Sequence, residues 1–184
     1  PHVITFHTLA KTKLRALTVR DEHTSRSASE YKLMCSSDKI LVLTQKEVQD
    51  IDQLYGSFTN KISVVPPGVD LEMFYQSDKN ASRYQLNIPE QNNVVLFVGR
   101  IDPIKGLDVL VKALSMISSD GEGETILYIV GGNDDDNEYY RSIKSLVADM
   151  ELDDKVIFTG SIPHDALALY YSAADVFVLP SHYE

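Results

Sequence analysis

The stretch that decides the fold is NVVLFVGRIDPIKGLDVLVKAL, residues 93–114. It begins as a short, continuous, β-branched and apolar run, the composition of a strand buried on both faces of a parallel sheet. It ends with another period. Leu107, Leu110, Val111 and Leu114, with Ile117 beyond them, fall at i, i+3, i+4, i+7 and i+10, which makes one apolar stripe on a helix. A strand that passes through a short loop into an amphipathic helix is the first half of a βαβ unit.

The same alternation extends on both sides. TILYIVG (125–131), KVIFTG (155–160) and DVFVLPS (175–181) read as further buried strands. Ile143, Leu146, Val147 and Met150 repeat the helical stripe, and a third stripe, HDALALYYSAA (164–174), opens next to Pro163. Toward the amino terminus, HVITF (2–6), KILVLT (39–44) and KISVVPPG (61–68) suggest another set of strands. Between the last two, Thr44 and Glu47 form a capping-box pattern at the head of a helix carrying Val48, Ile51 and Leu54 and ending near Gly56. Pro66, Pro67 and Gly68 then stop regular structure, and the polar stretch after them offers only short helical possibilities. The expected organisation is α/β with two parallel-sheet domains: residues 1–66, a linker over 67–92, and residues 93–184.

Composition narrows the function. The chain has 184 residues, and Asp+Glu (27) exceed Lys+Arg (17) for a net charge of -10. That balance argues against a nucleic-acid or membrane-surface role, each of which needs a basic footprint. The single cysteine, Cys35, lies beside Leu33 and Met34 and is expected in the core, with no internal disulfide. No apolar run reaches transmembrane length and no secretory signal pattern opens the chain, so a cytoplasmic protein is expected. The run NDDDNE (133–138) reads as a solvated loop.

Ligands of open α/β sheets bind beyond the carboxyl ends of the strands. The residues to inspect are therefore Gly99-Arg100, Gly131-Gly132, Gly160-Ser161-Ile162 and Pro180-Ser181-His182-Tyr183-Glu184. There is no G-x-G-x-x-G and no G-x-x-x-x-G-K-[ST], which leaves a dinucleotide dehydrogenase or P-loop NTPase unsupported. Arg100 and Lys105 have two readings. Either they are cations around a loop, solvated or paired to a neighbouring carboxylate such as Asp102, or they meet an anion at a strand-to-helix junction whose amides also favour negative charge. A guanidinium and an ammonium there suit a diphosphate without a metal.

Taken together, VVPPGVDLEMF, LFVGRIDPIKGLDVLVKAL, YIVGG and VIFTGSIPHDALALYYSAADVFVLPSHYE resemble the retaining glycosyltransferases of family 4, which have the GT-B architecture of two Rossmann-like domains. The resemblance runs over nearly the whole chain. It implies that Arg100 and Lys105 bind the donor diphosphate and offset the charge of the leaving group. It also implies that Glu184 begins an E-x7-E motif at the donor sugar and that Ile162 lies against the base through its backbone. From the other domain, FHTLAKTK (6–13) supplies His7 toward the donor hexose. Thr8 and Lys13 match positions that hold an acceptor phosphate in sucrose-phosphate synthase-like members, and the inositol-phosphate glycosyltransferases of the mycothiol pathway share an HTLA segment. Arg26 and Arg20 are further phosphate candidates.

The implied reaction moves a hexosyl group from a nucleotide sugar, in the family typically a UDP-sugar, to a hydroxyl of a sugar phosphate or polyol phosphate. Configuration is retained, the departing phosphate takes the acceptor proton, and no cofactor or metal is expected. Complete members are longer than this chain, so both domains are expected to be incomplete and the segment alone to be inactive. Two other readings stay open: a nucleotide-sugar binding protein or remnant without catalysis, and a GT-B phosphorylase, which GRIDPIKG (99–106) argues against.

Overall fold

The computed structural model describes residues 1–16, 24–117, 123–132 and 137–182. It divides into two compact units, Pro1–Val69 and Asp70–His182.

In the first unit, strands β1 (Val3–Thr5), β2 (Lys39–Val42) and β3 (Ile62–Val64) form a parallel sheet in that order. Ile4 is level with Ile40, and Ile40 with Ile62. Helices α1 (Ala10–Ala16), α2 (Thr24–Ser36) and α3 (Gln45–Tyr55) complete it, around a core of Leu9, Met34, Ile40, Val42, Ile51, Tyr55 and Phe58. The start of α3 follows the capping pattern: Thr44 Oγ1 accepts from the Glu47 N–H at 3.2 Å. The reciprocal arm is displaced by one residue, since the Glu47 carboxylate accepts from Leu43 N–H at 2.7 Å. Gly56 closes the helix with φ 102.

Cys35 is exposed, contrary to its expected place in the core. Successive helical residues point about 100° apart. On α2, Met34 takes the inward direction and is fully buried, which leaves Leu33, 43% accessible, and Cys35 on the outer side.

In the second unit, β4 (Asn93–Val98), β5 (Thr125–Val130), β6 (Val156–Gly160) and β7 (Val176–Phe177) form a parallel sheet in the order β6-β5-β4-β7. The two-residue period of a strand divides the central side chains between the faces. Val95, Phe97, Leu127 and Ile129 meet α5 (Leu107–Ser115) and α6 (Glu138–Asp149). Val94, Leu96, Ile126, Tyr128 and Val130 meet α7 (Leu167–Ala173) and Ile88. The fully buried Phe97, Leu107, Leu127 and Ile129 each contribute about 1.5–3 kcal/mol.

Three expectations change in detail. β7 is short and lies at the sheet edge, and Val176 and Phe177 are exposed rather than buried on both faces. Ile117 is also exposed, because α5 ends at Ser115 and the next amides turn back to Ala113 and Leu114. The stretch expected as a linker contains a helix, α4 (Lys79–Gln85), capped by Asp78 accepting from Ala81 N–H at 2.7 Å. Its Arg83 is buried, with Nε donating to Ala173 O at 3.0 Å and Nη1 to Glu90 O at 2.6 Å. Residues from Asp70 onward therefore group with the second sheet.

Candidate functional site

In the first unit the residues of FHTLAKTK lie just beyond β1. His7 is exposed, while Thr8 and Lys13 are half-buried. His7, Thr8, Thr12, Thr44, Glu47 and Asp50 contribute to a small cavity of about 40 Å³, room for a water or two rather than a sugar. Arg26 joins this group through the main chain: its Nη2 donates to Thr8 O at 2.5 Å. Its Nε is held by Glu30 at 2.9 Å. The structure thus brings Thr8 and Arg26 together, with two arms of the guanidinium already engaged by the protein. Lys13 also has a partner, and Arg20 lies outside the described residues.

Glu30 is the organiser that reading the sequence missed. It is 5% accessible, and its two oxygens accept from Ala10 N–H at 3.1 Å each. Tyr55 donates its hydroxyl proton to the same carboxylate and accepts from Lys11 N–H at 3.2 Å. Burial, followed by the bond to Glu30, pushes the Tyr55 hydroxyl well above its ordinary pKa of 10.0. Lys11 reinforces the joint, its Nζ 2.5 Å from Leu54 O and 4.5 Å from the centre of the Tyr55 ring. One buried carboxylate therefore ties α1, α2 and α3 at the edge of the His7–Thr8 turn. The only signal in sequence was the Arg26–Glu30 spacing, which equally describes a solvated i,i+4 pair.

In the second unit, a cleft of about 270 Å³ opens beyond the carboxyl ends of β4, β5 and β6. Its lining includes Arg100, Asp102, Gly132, Asn137, Tyr140 and Ser161. Arg100 is exposed. Asp102 is engaged elsewhere: its Oδ1 accepts from Ile104 N–H at 3.0 Å and starts the short 3-10 turn Pro103–Lys105. Among the described residues no ion pair joins Asp102 to Arg100. Asn137 fixes the far wall, its Oδ1 accepting from Tyr139 N–H at 2.9 Å and its Nδ2 donating to Ile101 O at 3.3 Å. The close approach of the strand ends requires glycine at Gly131, where φ is 120 and a Cβ would stand 2.2 Å from Gly99 O.

The other expected donor residues divide. Lys105 is half-buried at the end of its turn and is absent from the cleft lining. Ile162 follows Ser161, and its side chain packs against the core on the α7 side. Glu184 lies outside the described residues. Two contacts unforeseen in sequence join the loop after β7 to the Lys105 turn: His182 N–H donates to Ile104 O at 2.8 Å, and Pro180 O lies against Gly106. Among the described residues there is no group of three or more His, Cys, Asp or Glu side chains that could hold a metal. No helix among them is long and apolar enough to cross a membrane.

Known proteins resemble both units. The D-inositol 3-phosphate glycosyltransferase of Acidothermus cellulolyticus is 37% identical over 190 residues, covering 100% of this chain and 42% of that protein. Sucrose-phosphate synthase from Thermosynechococcus elongatus superposes with a TM-score of 0.86 at 33% identity, over 99% of this chain and 45% of that one. Anabaena HepE, solved in complex with UDP-glucose, shares the fold at 19% identity with a TM-score of 0.80, over 98% of this chain and 47% of its own. The chain thus spans less than half the length of these proteins. The family model for glycosyl transferases group 1 matches residues 78–184, and that for glycosyltransferase family 4 matches residues 1–73. With two parallel-sheet units, each matched by its own model, the chain belongs to the group 1, family 4 glycosyltransferases and is part of a GT-B fold.

Proposed function

We propose that the whole protein transfers a hexosyl group from a UDP-sugar to a hydroxyl of a small phosphorylated sugar or polyol, with retention at the anomeric carbon. The observation that carries the reading is Arg100, an exposed guanidinium lining a cleft at the carboxyl ends of three parallel strands. The donor class is supported by the UDP-glucose bound to HepE, and the acceptor class by the inositol phosphate named for the Acidothermus relative.

On this reading Arg100 forms charge-assisted hydrogen bonds to the diphosphate, which strengthen as the glycosidic bond breaks and negative charge collects on the leaving group. Lys105 adds an ammonium from the neighbouring turn, and the two cations take the part that a metal ion plays in other transferases. The acceptor hydroxyl attacks the anomeric carbon on the face from which the diphosphate departs, and the β-phosphate takes its proton. His7 and Glu184 are assigned to the donor hexose, the backbone of Ile162 to the base, and Thr8, Lys13 and Arg26 to the acceptor phosphate. The Thr8 carbonyl and Glu30 hold Arg26 in place, so its contribution to an acceptor is a fixed positive charge beside the phosphate. The proposed setting is the cytoplasm, and residues 1–184 by themselves are expected to be inactive.

The test is UDP release by the full-length protein, supplied with UDP-glucose or UDP-N-acetylglucosamine and a panel of phosphorylated acceptors led by D-inositol 3-phosphate. The reading requires acceptor-dependent turnover, undiminished by EDTA, and an α-linked product from an α-linked donor. UDP-sugar binding without transfer to any acceptor would point to a binding protein instead.

A further inference from the structure

Lys105 ends its 3-10 turn, and the next residue, Gly106, has φ 64 and ψ 28. A Cβ on Gly106 would stand 2.2 Å from the carbonyl oxygen of Pro180 and 3.1 Å from its carbonyl carbon. Two separate demands meet at this residue. Left-handed backbone alone would also admit asparagine at modest cost. The approach of Pro180 admits no residue with a Cβ unless one of the two backbones moves.

The opposite flank of the turn is held as well. His182 N–H donates to Ile104 O at 2.8 Å. From within, Asp102 accepts twice, through its side chain from Ile104 N–H at 3.0 Å and through its carbonyl from Lys105 N–H at 2.9 Å. The main chain of Lys105 is thus clasped between the loop after β7 and the Asp102 cap, all within the second unit. A lysine is a point charge on a flexible stem, so where its ammonium can reach is set by where its backbone is anchored.

We propose that Gly106 is a positioning residue for Lys105: by letting Pro180–His182 seat against the turn, it fixes the main chain from which Lys105 reaches the donor diphosphate. The inference rests on the nucleotide-sugar reading and adds to it a residue that touches neither substrate. It also gives the loop after β7 a task on the diphosphate side of the site.

Calorimetric titration of the full-length protein with UDP and with uridine separates this role from a general loss of structure, because uridine lacks the phosphates. Gly106→Ala and Gly106→Asn should each weaken UDP about tenfold or more, as Lys105→Ala should, and leave uridine unchanged. In Lys105→Ala/Gly106→Ala the two losses should fail to multiply, since one acts through the other. Equal losses for UDP and uridine, or multiplying losses, would overturn the assignment. So would wild-type affinity in Gly106→Asn, since that residue relieves the backbone strain and keeps the clash. Should the Gly106 variants not fold, His182→Pro removes the N–H on the opposite flank; it should weaken UDP and spare uridine, and unchanged UDP affinity would sink the clasp. A wild-type protein that binds no UDP removes the nucleotide-sugar reading and this assignment together, whereas normal UDP binding by Gly106→Ala removes the assignment alone.

Discussion

Arg26 and Arg100 pose the same question in the two units and receive opposite answers. Each is an arginine at a loop or helix start with a carboxylate a few residues on, Glu30 in one case and Asp102 in the other. Glu30 is buried and takes hold of Arg26, together with the Ala10 amide and the Tyr55 hydroxyl. Asp102 is captured by the Ile104 amide, and Arg100 stays exposed in the cleft. Both carboxylates accept from a backbone N–H, but Glu30 also reaches its arginine while Asp102, turned into the Ile104 cap, forms no ion pair with Arg100 and leaves it exposed in the cleft. In a chain of net charge -10 this matters, because carboxylates are never far away.

The comparison is open to direct attack. Arg100→Ala in the full-length protein should lower transfer by about 10²–10³-fold, the scale of losing one charge-stabilising donor. Its stability should stay within about 0.5 kcal/mol of wild type, because the side chain is exposed. Arg26→Ala should weaken acceptor binding but, unlike Arg100→Ala, also cost about 1–2 kcal/mol in urea unfolding, by leaving a buried carboxylate with one partner fewer. If Arg26→Ala abolished transfer at unchanged stability, the contrast between the two arginines would collapse. Glu30→Gln, which keeps the shape but removes the charge under Arg26, should cost about 2–3 kcal/mol by the same measurement.

Acid and alkali should separate the two units. Burial pushes Tyr55 upward and Glu30 adds to it, so its folded pKa exceeds the ordinary 10.0. The stability this brings is complete below pH 10 and is lost as pH rises toward the folded value, and Tyr55→Phe should flatten that alkaline slope. Asp175 behaves oppositely. Burial alone would raise its carboxyl, but Lys79, Val94 N–H and Arg83 outweigh it and hold the pKa below 3.8. Its contribution is present above that value and is lost as pH falls through the folded pKa, so Asp175→Asn should make acid unfolding less steep. The smallest effect is expected at Cys35, where Ser should change stability by no more than about 0.5 kcal/mol. A thiol reagent should modify Cys35 in the folded protein, and a protected thiol would return that residue to the core.

What could be read in the sequence was whatever local pattern and local chemistry decide. The strands β4 and β5, the α5 and α6 stripes and the Thr44 cap all rest on neighbours within a turn or two. Helices α1 and α2 went unforeseen because their polar sequences carry no stripe. Their place depends on Glu30, whose partners Ala10 and Tyr55 are 20 and 25 residues away. The Arg100 cleft could be anticipated from the rule for strand ends. The identity of Asp102's partner could not, since its Ile104 amide and an Arg100 pairing fit the same letters. The Gly106–Pro180 approach was equally hidden, because it joins backbones far apart in the chain.

Arg83 carries a consequence for the order of events during synthesis. The residue is 3% accessible, and its Nη2 meets Asp175 Oδ2 at 2.7 Å across 92 positions of sequence. Asp175 in turn takes the Val94 amide at 2.6 Å, near the start of β4. A chain leaving the ribosome at about 5–20 residues per second makes Arg83 about 5–18 seconds before the carboxylate that neutralises it. Until then, closing the second sheet over α4 would trap an unmatched charge, at a cost of several kcal/mol. Closure over α4 should therefore wait until the β7 segment arrives, so that one buried cation acts as a check that the chain has been made as far as β7.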